Sequence, residues 1–328
     1  MNSKNSKILV TGGIGFIGFH ICKLFLDKGY DVYSIDNLNG YYPKKFKIER
    51  LKVLNNYSKF KNYNFDISKK NRFSILKKLN FSTIVHLAAQ AGVRDSDKNR
   101  EKFIDYNIKG FGNILDLASQ KKIKTLIYAS SSSVYGDTKI FPTKEKDFNN
   151  KPLSFYGLTK IINESQAELF YKNNNISLFG LRFFTVYGEY PRPDMAIYKI
   201  FDSIYNNKTF NLFNYGTNDR DFTNVENIIN CIYKLAKKNQ KKHIHKIFNI
   251  GSTGPIQINN LILLIEKITK RKLKVKQLGY NKEDVKKSHS SNSNINTYLN
   301  IKKFISIDKG LSKFNDWYLK RYESNKPR

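Results

Sequence analysis

A chain of 328 residues has enough material for a large buried core and for more than one lobe. Its hydrophobic content of 40% and aromatic content of 14% exclude a disordered chain. The formal charge, 58 − 27 = +31, raises the question of a nucleic-acid partner, but the basic residues are spread along the whole chain and no zinc-knuckle spacing or aromatic-rich RNA-binding signature accompanies them, so none is expected.

The first apolar run, Lys7–Thr11, reads as a strand, with a helical pattern near residues 15–28 directly behind it. Together they make a nearly uncharged stretch, Ile8 to Leu26. Three spaced glycines and Lys23 count against a membrane span, and no small-residue cleavage site follows. The turn between strand and helix, "TGGIGFIG", places Gly12, Gly15 and Gly18 in a G-x-x-G-x-x-G spacing around Phe16 and Ile17. The first glycine permits a tight turn, the second lets a pyrophosphate approach the backbone at the positive end of the helix, and the third lets helix and strand pack closely. A turn without a ligand is the plain alternative. The second strand, Asp31–Ile35, is closed by Asp36 and Asn37 at about the spacing, ~20 residues, of a ribose-binding acid. A carboxylate there suits a ribose diol and repels a 2′-phosphate, so NAD is expected rather than NADP. No G-x-x-x-x-G-K-[ST] is present, which disfavours a P-loop nucleotide hydrolase.

The third strand, Asn62–Phe65, leads to Asp66 and Ile67, placed to reach the adenine; Asp66 is equally suited to the start of the helical stretch near 69–79. The fourth, Thr83–Leu87, runs into "HLAAQAGVR", where Leu87, Ala88 and Ala89 let a dinucleotide lie against the backbone. After a helical stretch near 97–120, the fifth strand, Lys124–Ala129, ends in four hydroxyls, Ser130 to Ser133. A helix near 154–174 and a sixth strand, Ile176–Arg182, follow. Strands separated by helices of this length imply an α/β fold with a doubly wound parallel sheet of the Rossmann type. From about 186 the pattern is less regular, with a Pro-rich loop at Tyr190–Asp194. This suggests a cofactor domain over 1–185 and a smaller, mainly substrate-binding lobe over 186–328, with some segments returning to the first. His243 and His245 read as a strand edge rather than a metal site, and no metal is expected. Cys22 and Cys231 lie far apart and give no disulfide framework, which suits a reducing, cytoplasmic compartment.

Tyr-x-x-x-Lys occurs seven times, at Tyr41, Tyr57, Tyr135, Tyr156, Tyr233, Tyr298 and Tyr322, so spacing alone singles out none of them. Tyr156 and Lys160 differ by context. They open the helix that follows the serine-rich strand end, one turn apart on one face. A phenol is a poor base at neutral pH, with a pKa of about 10, and needs nearby positive charge to ionise. Tyr156 would then exchange a proton with a substrate hydroxyl, Ser131 would bond that oxygen, and Lys160 would hold the nicotinamide ribose.

These residues together resemble the extended short-chain dehydrogenase/reductase superfamily and, within it, UDP-glucuronate 4-epimerases and related nucleotide-sugar epimerases. The likeness runs along nearly the whole chain, through "IDNLNGYY", "YGLTK", "LRFFTVYG", "RPDM" and "RDFTNVENI" as well as the stretches above. It implies a catalytic set at Ser131, Tyr156 and Lys160, an asparagine near the cofactor at Asn107, a diphosphate-binding arginine at Arg220, and a homodimer. Sugar dehydratases and decarboxylases of this superfamily carry acids where Ser132 and Ser133 stand, which favours simple epimerisation here. Ser132, Ser133, Thr185 and Arg192 suit a sugar carboxylate, although UDP-glucose or UDP-N-acetylglucosamine epimerisation, or a non-catalytic NAD-binding role, remain alternatives. The late uridine-side loop keeps Asp284 and Val285 but lacks the family's Pro-Gly.

Overall fold

The computed structural model describes residues 6–238, 240, 242–280 and 285–324. The strands in chain order are β1 (Lys7–Thr11), β2 (Asp31–Asp36), β3 (Phe60–Asn64), β4 (Thr83–His86), β5 (Thr125–Ser131), β6 (Ser177–Phe183), β7 (Thr185–Tyr187), β8 (Thr209–Leu212), β9 (Asp219–Arg220), β10 (Phe222–Asn224), β11 (His245–Ile250), β12 (Ile256–Gln257) and β13 (Lys274–Gln277). The α-helices are α1 (Phe16–Asp27), α2 (Lys45–Leu54), α3 (Arg100–Phe103), α4 (Gly110–Gln120), α5 (Phe155–Asn173), α6 (Ala196–Tyr205), α7 (Val225–Lys237), α8 (Ile258–Thr269), α9 (Ser293–Leu299) and α10 (Ile307–Ser324).

Seven strands form one sheet in the order β11-β6-β5-β4-β1-β2-β3, and every neighbouring pair is parallel. A parallel sheet must be covered on both faces, so its central strands are apolar throughout rather than alternating. Ile8, Leu9, Val10, Ile84 and Val85 are accordingly buried. One face packs on α1 and α7 through Phe19, Phe25, Ile228 and Ile232. The other packs on α4 and α5 through Phe111, Ile114, Leu117 and Ala167. A third cluster, with Phe201, Leu261, Phe314 and Trp317, joins α6, α8 and α10.

The chain winds outward from β1 to β3, then returns to place β4 on the other side of β1. The carboxyl ends of β1 and β4 are therefore the switch point, where such sheets bind ligands. A buried hydrogen bond between Thr11 Oγ1 and His86 Nδ1, 2.7 Å, closes the two strands there. Burial, reinforced by the charge of Lys160, pulls the His86 pKa down to about 3, so the ring is neutral at physiological pH.

Two readings of the sequence differ from the fold, and one is met. The helical stretch near 97–120 is interrupted by a π-helical segment, Ile104–Lys109, between α3 and α4. This wide turn carries Asn107 inward, where its Oδ1 accepts Gln90 N and its Nδ2 donates to Gln90 O and Thr159 Oγ1. The stretch near 69–79 forms only a 3₁₀ helix, Lys70–Leu76. His245 opens β11, the edge strand of the main sheet, as its strand-edge reading expected, with the imidazole between Glu168 Oε2 and the Tyr128 hydroxyl.

Behind β5, Arg182 and Glu164 form a buried two-bond pair of 2.8 and 2.7 Å, and Arg182 also donates to the Tyr135 hydroxyl. Removing one partner of such a pair strands a charge, at a cost of about 3–5 kcal/mol. Glu164→Ala is therefore expected to lose about that much stability in urea titration; a loss under about 1 kcal/mol would show that the pair is not buried as described.

Candidate active site

The carboxyl ends of β1, β2, β4, β5 and β6 open onto a cleft of about 270 Å³. The glycine turn forms its floor. Gly12 has φ +70, and a Cβ there would lie 2.8 Å from Ala88 N. A Cβ on Gly18 would lie 2.0 Å from Gly12 O, which already accepts Gly15 N at 2.9 Å. Neither position admits a side chain. Helix α1 begins at Gly15 with no side-chain cap and no acid in its first turn, so its positive end is left for an anion. A Cβ-free turn at a helix N-terminus, with an acid at the end of the next strand, fits the diphosphate and adenosine ribose of NAD.

That acid, Asp36, is buried and is not alone. Its Oδ1 accepts Leu38 N at 3.0 Å and Lys47 Nζ at 3.1 Å, and Lys47 also donates to Asn39 Oδ1 at 3.2 Å. Lys47 compensates the carboxylate, so the repulsion of a 2′-phosphate expected from Asp36 is weaker than for a lone acid. Hydrogen-bond acceptance is what remains for the ribose. Asn37, Phe16, Ile17, Ile67, Leu87, Ala88 and Ala89 also line the cleft. Asp66 is turned to Ser68 N at 2.8 Å, shaping the entry to the 3₁₀ helix, and is not part of the wall. Asn107 lies behind the wall, bracing the segment after β4 against α5.

Ser154 caps α5 by accepting Gly157 N at 3.1 Å, which starts the helix beside the serine-rich end of β5. Ser131, Tyr156 and Lys160 all face the cleft. Lys160 is 2% exposed; its ammonium donates to Ala129 O at 2.9 Å and lies 5.8 Å from the centre of the Tyr156 ring. Burial lowers the Lys160 pKa to about 8, against the opposing charge of Glu164 one turn on. Burial raises the Tyr156 pKa, opposed by the Ser131 hydroxyl and the charge of Arg192. The phenol is therefore protonated at neutral pH in this state. Ser131 Oγ is also 3.1 Å from Ser133 Oγ and accepts Ser133 N at 3.1 Å.

Arg192 is on the wall, but its Nε donates to Asp194 Oδ1 at 3.0 Å and its Nη2 to Asp194 Oδ2. The Tyr41 ring lies 5.2 Å from the guanidinium. Ser132 and Ser133 are half-buried and off the wall, and Thr185 opens β7 between two wall residues, Phe184 and Val186. Arg220 is set in β9, paired with β12, where Nη1 donates to Asp219 O at 2.9 Å. Asp221 is buried and accepts Ser290 N at 2.8 Å, tying β9 to the late loop. Asp284 lies outside the described residues. Sequence reasoning missed Tyr41, Lys47, Arg50 and Asp194, whose only local signal was their place in the "NGYYPKKFKIER" and "RPDM" stretches.

A doubly wound sheet with a glycine cradle and a hydroxyl, phenol and ammonium at its switch point defines a dinucleotide-dependent enzyme. Residues 8–251 match the family described as "NAD dependent epimerase/dehydratase family". The chain is 36% identical to UDP-glucuronate 4-epimerase 3 of Arabidopsis thaliana, over 98% of this chain and 78% of that one. It is 35% identical to protein CapI of Staphylococcus aureus, over 97% and 99%. It superposes with a TM-score of 0.89 on a UDP-glucuronic acid 4-epimerase of Bacillus cereus solved with UDP-glucuronic acid and NAD, at 30% identity and covering 96% of this chain and all of that one. The protein belongs to the NAD-dependent epimerase/dehydratase family, among the extended short-chain dehydrogenases/reductases, and is a nucleotide-sugar epimerase whose cofactor is NAD.

Lys160 makes a linkage test of the site. Its folded pKa of about 8 lies below the ordinary 10.5, so below pH 8 both states carry the proton and the cost of burying the ammonium is fully present. Between pH 8 and 10.5 the unfolded chain binds more protons, and stability rises with pH. Lys160→Met, which forfeits the bond to Ala129 O but removes the buried charge, is expected to be more stable than wild type at pH 7, by about 2 kcal/mol. The gap should close as pH rises past 8. A variant less stable at pH 7 would contradict the burial of a charged ammonium.

Proposed function

We propose that the protein interconverts UDP-glucuronate and UDP-galacturonate through a 4-keto sugar. The observation that carries this reading is the meeting of Ser131, Tyr156 and Lys160 with Arg192 on one cleft wall, beside a strand end that offers hydroxyls and no acid. Relatives at about a third identity carry the name UDP-glucuronate 4-epimerase, which supports the same substrate.

Bound NAD supplies reversible oxidation and reduction at the sugar's C4. The chain does the rest. The glycine turn and the start of α1 hold the diphosphate of NAD, Asp36 its adenosine ribose, and Lys160 the ribose next to the reacting ring. Tyr156 takes the proton of the 4-hydroxyl as that oxygen becomes a carbonyl, while Ser131 bonds the same oxygen. The Ser131 hydroxyl and the positive charge of Arg192 bring the raised phenol pKa back toward the working range. The 4-keto sugar turns about its diphosphate tether, with Arg220 on the diphosphate, so that C4 presents its opposite face for re-reduction, and Tyr156 returns the proton to the same oxygen. A 4-keto uronate is a β-keto acid and loses CO₂ readily if its carboxylate bond lines up with the carbonyl. Arg192, with Thr185 at the cleft's edge, holds the carboxylate out of that alignment, and there is no acid at Ser132 or Ser133 to assist elimination.

The pairing of Arg192 with Asp194 favours a second reading. Two of the three guanidinium nitrogens are already engaged by a carboxylate, so the pair is neutral as a whole and tolerates an uncharged sugar such as that of UDP-glucose or UDP-N-acetylglucosamine. In either reading residues 1–185 carry the cofactor and 186–328 mainly the UDP-sugar. The enzyme works in the cytoplasm as a homodimer, through the helical faces that expose Ile104, Leu158 and Leu169. Among the described residues no helix is long and apolar enough to cross a membrane.

Incubation with UDP-glucuronate is expected to yield UDP-galacturonate with no net NADH. UDP-pentose with CO₂, or accumulating NADH, would contradict the reading. Tyr156→Phe should lower kcat by about 10³-fold while NAD still co-purifies. Thr185→Ala should raise the share of decarboxylated product or the KM for UDP-glucuronate; no change in either would remove Thr185 from the carboxylate site.

A further inference from the structure

Arg50, on α2, is 1% exposed, and its hydrogen bonds all go to uncharged groups. Nε donates to Tyr190 O at 3.0 Å, Nη1 to Ile14 O at 3.2 Å and to the Tyr42 hydroxyl at 2.7 Å, and Nη2 to Pro191 O at 2.6 Å. One guanidinium thus ties three stretches of chain. Ile14 belongs to the glycine turn. Tyr42 lines the cleft beside Lys47. Tyr190 and Pro191 are the two residues immediately before Arg192. Burying a cation without a carboxylate is costly, and it persists here because the planar fork meets four acceptors at once. Tyr190 adds a second sign of constraint: it holds φ +49, a left-handed conformation that a bulky side chain seldom adopts, with its carbonyl fixed on Arg50.

We propose that Arg50 is a positioning residue that sets Arg192 against the cofactor's glycine turn, making the two halves of the site one mechanical unit. It touches no reacting atom. Its effect passes through two consecutive carbonyls to the backbone that carries Arg192, and it rests on the reading that Arg192 meets the substrate. It does not depend on which sugar is bound. Lysine in its place keeps the charge but presents a single point donor that cannot span the four acceptors.

The test is a double-mutant cycle on the purified enzyme with its co-purified NAD, using UDP-glucuronate, or whichever UDP-sugar the wild type converts. Arg50→Lys is expected to raise KM about tenfold with kcat changed less than about threefold, NAD content being unchanged. In an Arg192→Ala background the same change should move KM by less than about twofold, because the residue it positions is gone. Equal KM effects in both backgrounds, or a fall in melting temperature with KM unchanged, would overturn the proposal. Should Arg50→Lys not fold, Tyr42→Phe removes one acceptor and keeps the ring. A smaller rise in KM, present in wild type and absent beside Arg192→Ala, supports the link, and an equal rise in both overturns it. Arg192→Ala with an unchanged KM would sink the reading of Arg192 and this inference with it; a raised KM with additive effects sinks the inference alone.

Discussion

The ammonium of Lys160 is almost wholly buried, in ion-pair contact with no carboxylate among the described residues, and is held by the carbonyl of Ala129. That bond ties α5 to the carboxyl end of β5, and the rest of the site is built around it. Residues four apart stack on one side of a helix, so α5 presents Tyr156 to the cleft, Lys160 beneath it and Glu164 to the core. Glu164 in turn pairs with Arg182 and accepts from Ser130. A single stripe of one helix therefore runs from the reactive phenol to a buried ion pair, and a shift in any member would be felt at the hydroxyl of Ser131.

The same burial acts in opposite senses on the two titrating groups. It lifts the phenol and lowers the ammonium, because each is pushed toward its neutral form. The two values, close together in water, are thereby driven apart, and the ammonium becomes the readier proton donor of the pair. From sequence, the neighbouring lysine was the natural agent for ionising the tyrosine. In the structure the charge that draws the phenol down is Arg192, from a different part of the chain. In the proposed function Arg192 is also the residue that meets the sugar acid, which links substrate charge to the pKa of the proton carrier.

The six strands of the first half, the glycine cradle and the position of Tyr156 at a helix start beside the end of β5 were legible, because each rests on local pattern: apolar runs, turn glycines and a helix start beside a strand end. Strand ends moved by a residue or two. What escaped has partners distant in sequence. Lys47 neutralising Asp36 could not be read from a strand-end acid. Arg50 reaches Tyr190 and Pro191 across more than a third of the chain. Asp194 is only two residues from Arg192, yet its claim on that guanidinium depends on how a loop turns. The π-helical segment at Ile104–Lys109 was invisible for a related reason, since it is stabilised by what Asn107 bonds to rather than by its own composition.

The central claim is that one closed site oxidises and re-reduces the same carbon. UDP-glucuronate labelled with deuterium at C4, turned over in ordinary water, tests it most directly by mass and NMR analysis of the product. The account predicts UDP-galacturonate with the deuterium still on C4. Product carrying solvent hydrogen at C4 would contradict it.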